Sequence, residues 1–322
     1  MPHESAFATA TGVCTRHASD RGMIRNRMFP VVAGAALLAT ALGAAVLHGK
    51  EPNPPQVTDV TAALVPTRSS VDVGEAVRKT RGDLALYAPA ELALRDGAFD
   101  LVIHFHGTAK QQEANIEEAR LPAAVVSVNE GGLSEAYAKP FSAPGSLDRV
   151  VRFAEEEIGA KRLAGARVGR MALSSWSAGG AAVKNILARE AERIDAVIAA
   201  DGIFSSWEDE SKTSVKREPL RPFVDFGQQA LRGGKLLVIT HTAIPTDYPN
   251  VEECTRTVLD ELEVEPGPPR PASQPAGGAP TYTVERGGLR VRAFDGTGPE
   301  DHIAQLRALD DAYTELRRRW QR

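Results

Sequence analysis

The segment Gly169-Arg170-Met171-Ala172-Leu173-Ser174-Ser175-Trp176-Ser177-Ala178-Gly179-Gly180 constrains this chain more than any other. An apolar run ends in a cluster of small residues, and a helical pattern of apolar spacing begins at Ala181. A strand that turns into a helix within so few residues needs small side chains on both sides of the turn, because larger ones would strike the neighbouring strand and the helix. Ser177 sits at the tip, with Ser175 and Gly179 two residues either side. The pattern is G-x-S-x-G with its first glycine replaced by serine. Such an elbow lifts a serine hydroxyl clear of a sheet and points it at the N-terminus of the next helix. Serine- and glycine-rich turns without a nucleophile are also common. Ser177 therefore acquires chemical meaning only if an acid and a histidine follow at the ends of later strands.

The surrounding pattern supplies those strands. Leu84–Ala88, Asp100–Phe105, Ala123–Val128, Gly169–Ser174, Ala196–Ala200, Lys235–Thr240 and Leu289–Phe294 are short apolar runs, and Leu289–Phe294 reads as the last strand. Between them, Leu147, Val150, Val151, Ala154 and Ile158 recur at helical spacing, Ala181–Arg193 reads as the helix leaving the elbow, and residues 303–320 as a terminal helix. Alternating short strands and helices predict an α/β fold: a mostly parallel central sheet with helices on both faces. Ligands in such sheets sit at the carboxyl ends of the strands. Residues 203–232 exceed what a strand connection needs and read either as a cap over a site or as a packed helix and loop. The Pro-, Gly- and Ala-rich stretch 265–280 reads as a disordered surface loop.

At the strand ends stand three further candidates. Leu101–Phe105 runs into His106-Gly107-Thr108, where Gly107 leaves room for backbone to approach a ligand. The Thr108 N–H, or that of Gly107, could pair with the Ala178 N–H at the start of the elbow helix to hold an oxyanion. Asp201 follows Ala196–Ala200 directly and is placed to orient a histidine. Asp247, seven residues beyond the Lys235–Thr240 strand, is the competing acid. His302 arrives in a Gly/Pro loop after the last strand and can take up a serine proton near neutral pH. Asp301, its neighbour in sequence, is badly placed to reach the same ring. His241 ends its strand at the same edge and reads as a buttress rather than as a catalytic group.

With Ser177, Asp201 and His302 in that order, and His106-Gly107 before them, residues 80–322 resemble the α/β-hydrolase superfamily. The resemblance implies a serine hydrolase in which Ser177 is the nucleophile, His302 the base and Asp201 the acid. Amides of Ala178 and of Thr108 or Gly107 would hold the oxyanion beside His106. The implied reaction is cleavage of an ester, or less readily an amide, through an acyl-enzyme, with no cofactor and no metal. The implied partner is a small-molecule or lipid ester. Two departures stand out: Ser175 replaces a glycine, and the acid lies two strands before the last. Two rival readings are a non-catalytic exported binding protein on the same fold and a metal-dependent hydrolase using His104, His106, His241 and His302.

Composition sets the remaining bounds. With 43% hydrophobic and 25% charged residues the chain is ordinary globular material, and a net charge of -4 without a basic tract excludes a nucleic-acid footprint. Residues 1–27 are polar and basic. Residues 28–49 contain the uncharged run 29–47 behind Arg25 and Arg27, and read as an export signal with Ala45 as a cleavage position, or as an uncleaved membrane anchor. Met23 and Met28 are alternative starts. Residues 50–70 read as a linker and 71–322 as the folded domain, placed in the periplasm or outside the cell, or held at the membrane. Cys14 precedes the apolar run and lacks a lipoprotein setting, which leaves Cys254 alone and predicts no intrachain disulfide. Oligomeric state is left open.

Overall fold

The computed structural model describes residues 75–271 and 276–322. The segments 1–27, 28–49 and 50–70, with the expected export signal, anchor and linker, lie outside them. The strands are β1 (Val77–Arg81), β2 (Leu84–Ala88), β3 (Leu94–Arg95), β4 (Ala98–Phe105), β5 (Ala124–Val128), β6 (Arg167–Trp176), β7 (Ala196–Ala200), β8 (Leu236–His241), β9 (Pro280–Arg286) and β10 (Leu289–Phe294). The helices are α1 (Ala109–Glu118), α2 (Ser134–Ala138), α3 (Ser146–Lys161), α4 (Gly180–Glu190), α5 (Arg221–Leu231), α6 (Val251–Glu261), α7 (Pro299–Arg307) and α8 (Leu309–Trp320).

All the strands join one sheet in the order β1-β2-β5-β4-β6-β7-β8-β10-β9, with the short β3 pairing to β4. The six strands from β5 to β10 in this order run parallel. β1, β2 and β9 are antiparallel additions at the two edges. The expected mostly parallel sheet is thus mixed at its margins.

Period-two alternation divides the core in two. Leu101, Ile103 and Phe105 of β4, Leu173 of β6, and Val197 and Ala199 of β7 face a large cluster with α3, α4, α5 and α6. Val102, Ala172, Ile198 and Val238 face the other way, against Ile116 of α1 and Leu309, Tyr313, Leu316 and Trp320 of α8. Both faces are covered, which is why the strands read as continuous apolar runs. The single helix expected over 303–320 is broken between Arg307 and Leu309, although Leu306, Leu309 and Tyr313 keep the shared buried side. Residues 221–231 of the long 203–232 connection form the packed helix α5, with Phe223 and Phe226 buried.

The stretch 265–280 departs from expectation where it is described. Gly267 forms an isolated antiparallel bridge with Thr283, whose hydroxyl donates to the Pro268 carbonyl at 2.8 Å. Ala276 is buried and its carbonyl accepts from the Gln305 amide, and the Gly296 N–H donates to the Gly277 carbonyl at 3.1 Å. Pro and Gly content here reflects close packing: a Cβ on Gly278 would lie 2.4 Å from the Gly296 nitrogen.

The elbow is set by two close crossings. A Cβ on Gly179 would lie 2.1 Å from the Phe105 carbonyl oxygen, and one on Gly180 only 1.5 Å from that of Gly202. Ser175, in place of the motif's first glycine, is fully buried, and its hydroxyl has no hydrogen-bond partner. It fits because its neighbour is Gly202, where a Cβ would stand 3.3 Å from the Ser175 Oγ. Ser175→Ala should leave stability unchanged or raise it by up to about 1 kcal/mol, since it removes an unpaired buried hydroxyl. Gly180→Ala should cost about 3 kcal/mol or more through backbone displacement. Urea unfolding of the two variants checks both, and equal losses would contradict this account of the elbow.

Candidate active site

The carboxyl ends of β4, β6 and β7 each terminate in a non-glycine residue with positive φ: His106 (71°), Ser177 (50°) and Asp201 (43°). Such conformations cost of order 1–3 kcal/mol each and persist only where the surroundings enforce them. Here the enforcement is the crowding of adjacent strand ends. Ser177 opens a single 3₁₀ turn, Ser177–Gly179, that leads into α4. Its hydroxyl is thereby carried out of the sheet, while the Ala178 amide falls among the N–H groups a helix start leaves without intrahelical partners.

Asp201 is 1% exposed and its carboxylate is saturated. Oδ1 accepts the Thr242 backbone N–H at 2.7 Å, and Oδ2 accepts the Thr242 hydroxyl at 2.8 Å. Oδ2 also lies 2.9 Å from His302 Nδ1. Because a carboxylate only accepts, Nδ1 is the donor, and in the neutral ring Nε2 is then the atom with the lone pair. The gap of one strand between β7 and β10 is bridged because the Asp201 N–H donates to the Thr240 carbonyl at 2.8 Å, leaning the acid over the end of β8. Asp247 is exposed, and its backbone carbonyl accepts from the Trp207 indole at 3.2 Å. The ring of His302 is therefore paired with Asp201 and not with Asp247. Asp301 is used elsewhere: its carboxylate accepts the Gly298 N–H at 2.9 Å at the start of α7.

His241 has both ring nitrogens engaged, Nδ1 with the Thr242 carbonyl at 3.0 Å and Nε2 with the Tyr282 hydroxyl at 2.7 Å. Burial holds its pKa below the usual histidine value. It fixes the residue that fixes Asp201, the buttressing place read from the sequence. His104 is fully buried, its Nε2–H donating to the His106 carbonyl at 2.7 Å and its Nδ1 accepting from the Ser174 hydroxyl at 3.0 Å. Burial pushes its pKa down to about 3. Tyr313 reaches Ser174 at 3.1 Å and Gln112 at 2.7 Å, so a buried polar chain runs from α8 to the His106-Gly107 turn. His104 and His106 are thus separated: His104 reaches the α1/α8 side through Ser174 and Tyr313, and His106 follows the end of the strand. Among the described residues no three His, Cys, Asp or Glu side chains are grouped to hold a metal ion.

His106 lies flat on Trp176, with centroids 5.0 Å apart and planes 11° apart. The Trp176 ring also meets that of His302, at 4.5 Å and 33°. The Trp176 indole N–H also donates to the His302 carbonyl at 2.8 Å. His106 Nδ1 is 2.8 Å from the Tyr137 hydroxyl, which donates to Asn129 Oδ1 at 2.9 Å. The Tyr137 proton being committed, His106 Nδ1 is the donor. Burial first, and then the nearby His302, lowers the His106 pKa. Thr108 stands at the N-cap of α1, its hydroxyl accepting from the Gln111 N–H at 3.2 Å, and Gly107 has φ 120°. The ring contacts of Trp176, and the Thr242 clamp, carry no sequence signal beyond the position of Trp176 beside Ser177.

Ser177, Asp201 and His302 line one cavity of about 300 Å³ together with Phe204, Thr242, Ile244, Thr246, Tyr248, Val251 and Pro299. Trp207 and the fully buried Tyr137 do not line it.

No protein-family model and no curated protein matches the chain. Solved structures similar to it include Est1E from Butyrivibrio proteoclasticus, at 14% identity and a TM-score of 0.41 over 77% of this chain and 100% of that one. A ferulic acid esterase is similar at 14% identity and a TM-score of 0.44, over 76% of this chain and 96% of the other. The ferric enterobactin esterase of Salmonella typhimurium aligns at 14% identity and a TM-score of 0.45, over 74% of this chain and 54% of its own length.

The depressed His104 pKa has a consequence for stability. Above about 6.5 the ring is neutral whether the chain is folded or not, and nothing is lost. As pH falls from 6.5 towards 3, the unfolded chain binds a proton that the folded one refuses, and stability declines by roughly 1.4 kcal/mol per pH unit from this group. His104→Gln should flatten that decline between pH 6 and pH 4, a difference of roughly 3 kcal/mol in the change across the range. Urea unfolding at a series of pH values reads it, and parallel declines in both proteins would refute it.

Proposed function

We propose that the chain is a serine hydrolase that cleaves carboxylic esters through an acyl-enzyme on Ser177. The observation that carries this reading is the buried Asp201 carboxylate, held by Thr242 and bonded to His302 Nδ1, with Ser177 and His302 lining the same cavity. A base oriented this way at a serine on a strained turn has no structural purpose that a simpler polar pair would not meet.

In this reading Ser177 Oγ attacks the ester carbonyl carbon as its proton passes to His302 Nε2. Asp201 stabilises the imidazolium that forms. Negative charge on the former carbonyl oxygen is held by the Ala178 N–H and that of Thr108 or Gly107. Collapse of the tetrahedral intermediate breaks the C–O bond to the alcohol, which leaves with the proton from His302. Water then gives its proton to His302 and attacks the acyl-enzyme. Collapse of the second intermediate releases the acid and restores the Ser177 hydroxyl. Trp176, bonded to the His302 backbone and in contact with its ring, fixes the base, with His106 stacked on the indole. Location outside the cytoplasm, through residues 28–49, is part of the same proposal and rests on the basic and apolar order of that segment.

A fluorophosphonate should label the wild-type chain at Ser177 and leave Ser177→Ala unlabelled. Hydrolysis of a short-chain ester should disappear in the same variant. Asp201→Asn should lower kcat by about 10³- to 10⁴-fold, while Asp247→Asn should stay within about twofold. An unlabelled wild type would instead favour a non-catalytic binding protein. Trp176→Leu should lower kcat about 10- to 100-fold with little change in KM, since misplacing the base costs rate and not substrate affinity. Trp176→Phe, which keeps the stack and loses the indole donor, should fall between. Steady-state kinetics with matched circular-dichroism spectra check this, and a loss seen only in KM would remove Trp176 from the role.

A further inference from the structure

The cavity beside Ser177 also constrains what can be cleaved, an inference that rests on the serine hydrolase reading. Its wall is apolar where it faces inward: Phe204, Ile244, Tyr248, Val251 and Pro299. Both threonine hydroxyls of the wall direct their protons to protein acceptors. The Thr242 hydroxyl proton goes to Asp201, and the Thr246 hydroxyl donates to the Tyr248 carbonyl at 2.5 Å. The Asp201 oxygens take three donors between them, from Thr242 and His302. Asp201 is the sole charged side chain of the wall among the described residues, and at 1% exposure it presents no charge to a ligand. What the wall offers an entering molecule is the Ser177 hydroxyl, the His302 ring, the Tyr248 phenol at the exposed rim and an otherwise apolar surface. Phe204 and Tyr248 meet edge to face, with centroids 6.2 Å apart and planes at 78°, and Tyr248 is 46% exposed at the solvent side.

We propose that the substrate is an ester bearing a compact, uncharged apolar group, aryl or short branched alkyl, and that this group fills the cavity against Phe204 and Val251. A dry apolar cavity of about 150 Å³ accepts benzene, so about 300 Å³ holds a ring with a short extension. A carboxylate or ammonium group there would lose its hydration with no partner in return. The same chemistry could stand on the acyl or the alcohol side of the ester, and the test separates the two.

Methyl benzoate and benzyl acetate place the ring on opposite sides of the ester. Monomethyl succinate and acetylcholine are their charged counterparts. At least one aryl ester should exceed its charged counterpart by about 100-fold in kcat/KM, the scale that pocket complementarity supplies, and the preferred one identifies the side. Val251→Phe, which fills the cavity, should cost that aryl ester at least about tenfold more than it costs ethyl acetate. Binding is read separately by ligand-detected NMR on Ser177→Ala, which should show saturable binding of the preferred aryl ester and none of its charged counterpart. Equal rates for the charged esters, equal losses in Val251→Phe, or no binding preference in Ser177→Ala would overturn the inference. Labelling of Ser177 by the fluorophosphonate in the same preparations keeps that failure distinct: a labelled enzyme without apolar preference refutes the cavity assignment alone. An unlabelled protein that still binds the aryl ester refutes the nucleophile alone.

Discussion

The contact on which the rest of the site depends is the backbone crossing between Gly180 and Gly202. At this point the start of α4 passes so close to the end of β7 that any side chain would enter the Gly202 carbonyl. The crossing ties two turns into one object. One carries Ser177 and the other carries Asp201, the residue before Gly202. A Cβ on Gly202 would itself stand 3.2 Å from the Ser177 carbonyl oxygen, so the two turns touch through backbone on both sides. Their positive φ values are then a joint consequence of close packing, enforced by the sheet and not by local preference.

From that fixed pair the remaining groups are placed by hydrogen bonds that leave little choice of tautomer or rotamer. Thr242 supplies two donors to Asp201, His241 supports Thr242 through its carbonyl, and Tyr282 completes the far side of His241. On the other flank Asn129, Tyr137 and His106 form a second directed series ending at the face of Trp176. His302, which arrives on the late α7 turn, is held between the two series by Asp201 at its ring and Trp176 at both ring and backbone. A residue in the first turn of a helix is thereby given the positional definition of a strand residue, as the proposed role of a general base requires.

The sequence made the order of the parts legible because strand ends announce themselves. Short apolar runs stop, and the turns beyond them, which hold His106-Gly107, Ser177, Asp201 and His302, lie at the carboxyl edge by topology alone. The choice between Asp201 and Asp247 was harder, because it turns on which loop leans over β8. That is decided by the Asp201 N–H on Thr240 and by Thr242, neither of which has a pattern in one dimension. Trp176 carries no signal either, since an aromatic beside the elbow serine fits ordinary packing equally well until its contacts with His106 and His302 are seen. The Pro- and Gly-rich stretch 265–280 misled for a related reason. Small residues permit flexibility, and they also permit backbone to pass within van der Waals contact of backbone, as Gly277 and Gly278 do against Asp301 and Gly296.

Ser175 shows how a motif can be broken locally and kept physically. The first glycine of the elbow pattern exists to leave room where the strand end meets its neighbour. Here that room is provided by the neighbour, Gly202, and the hydroxyl of Ser175 occupies it without a partner. The space requirement has moved across the sheet from β6 to the residue after Asp201. A Cβ on Gly202 would meet the Ser177 carbonyl at 3.2 Å, the Ser175 Oγ at 3.3 Å and the Ala200 carbonyl at 3.4 Å. A substitution there would press on the Ser177 turn and on the Ser175 hydroxyl together, so this glycine, outside the elbow motif, helps to set the motif's geometry.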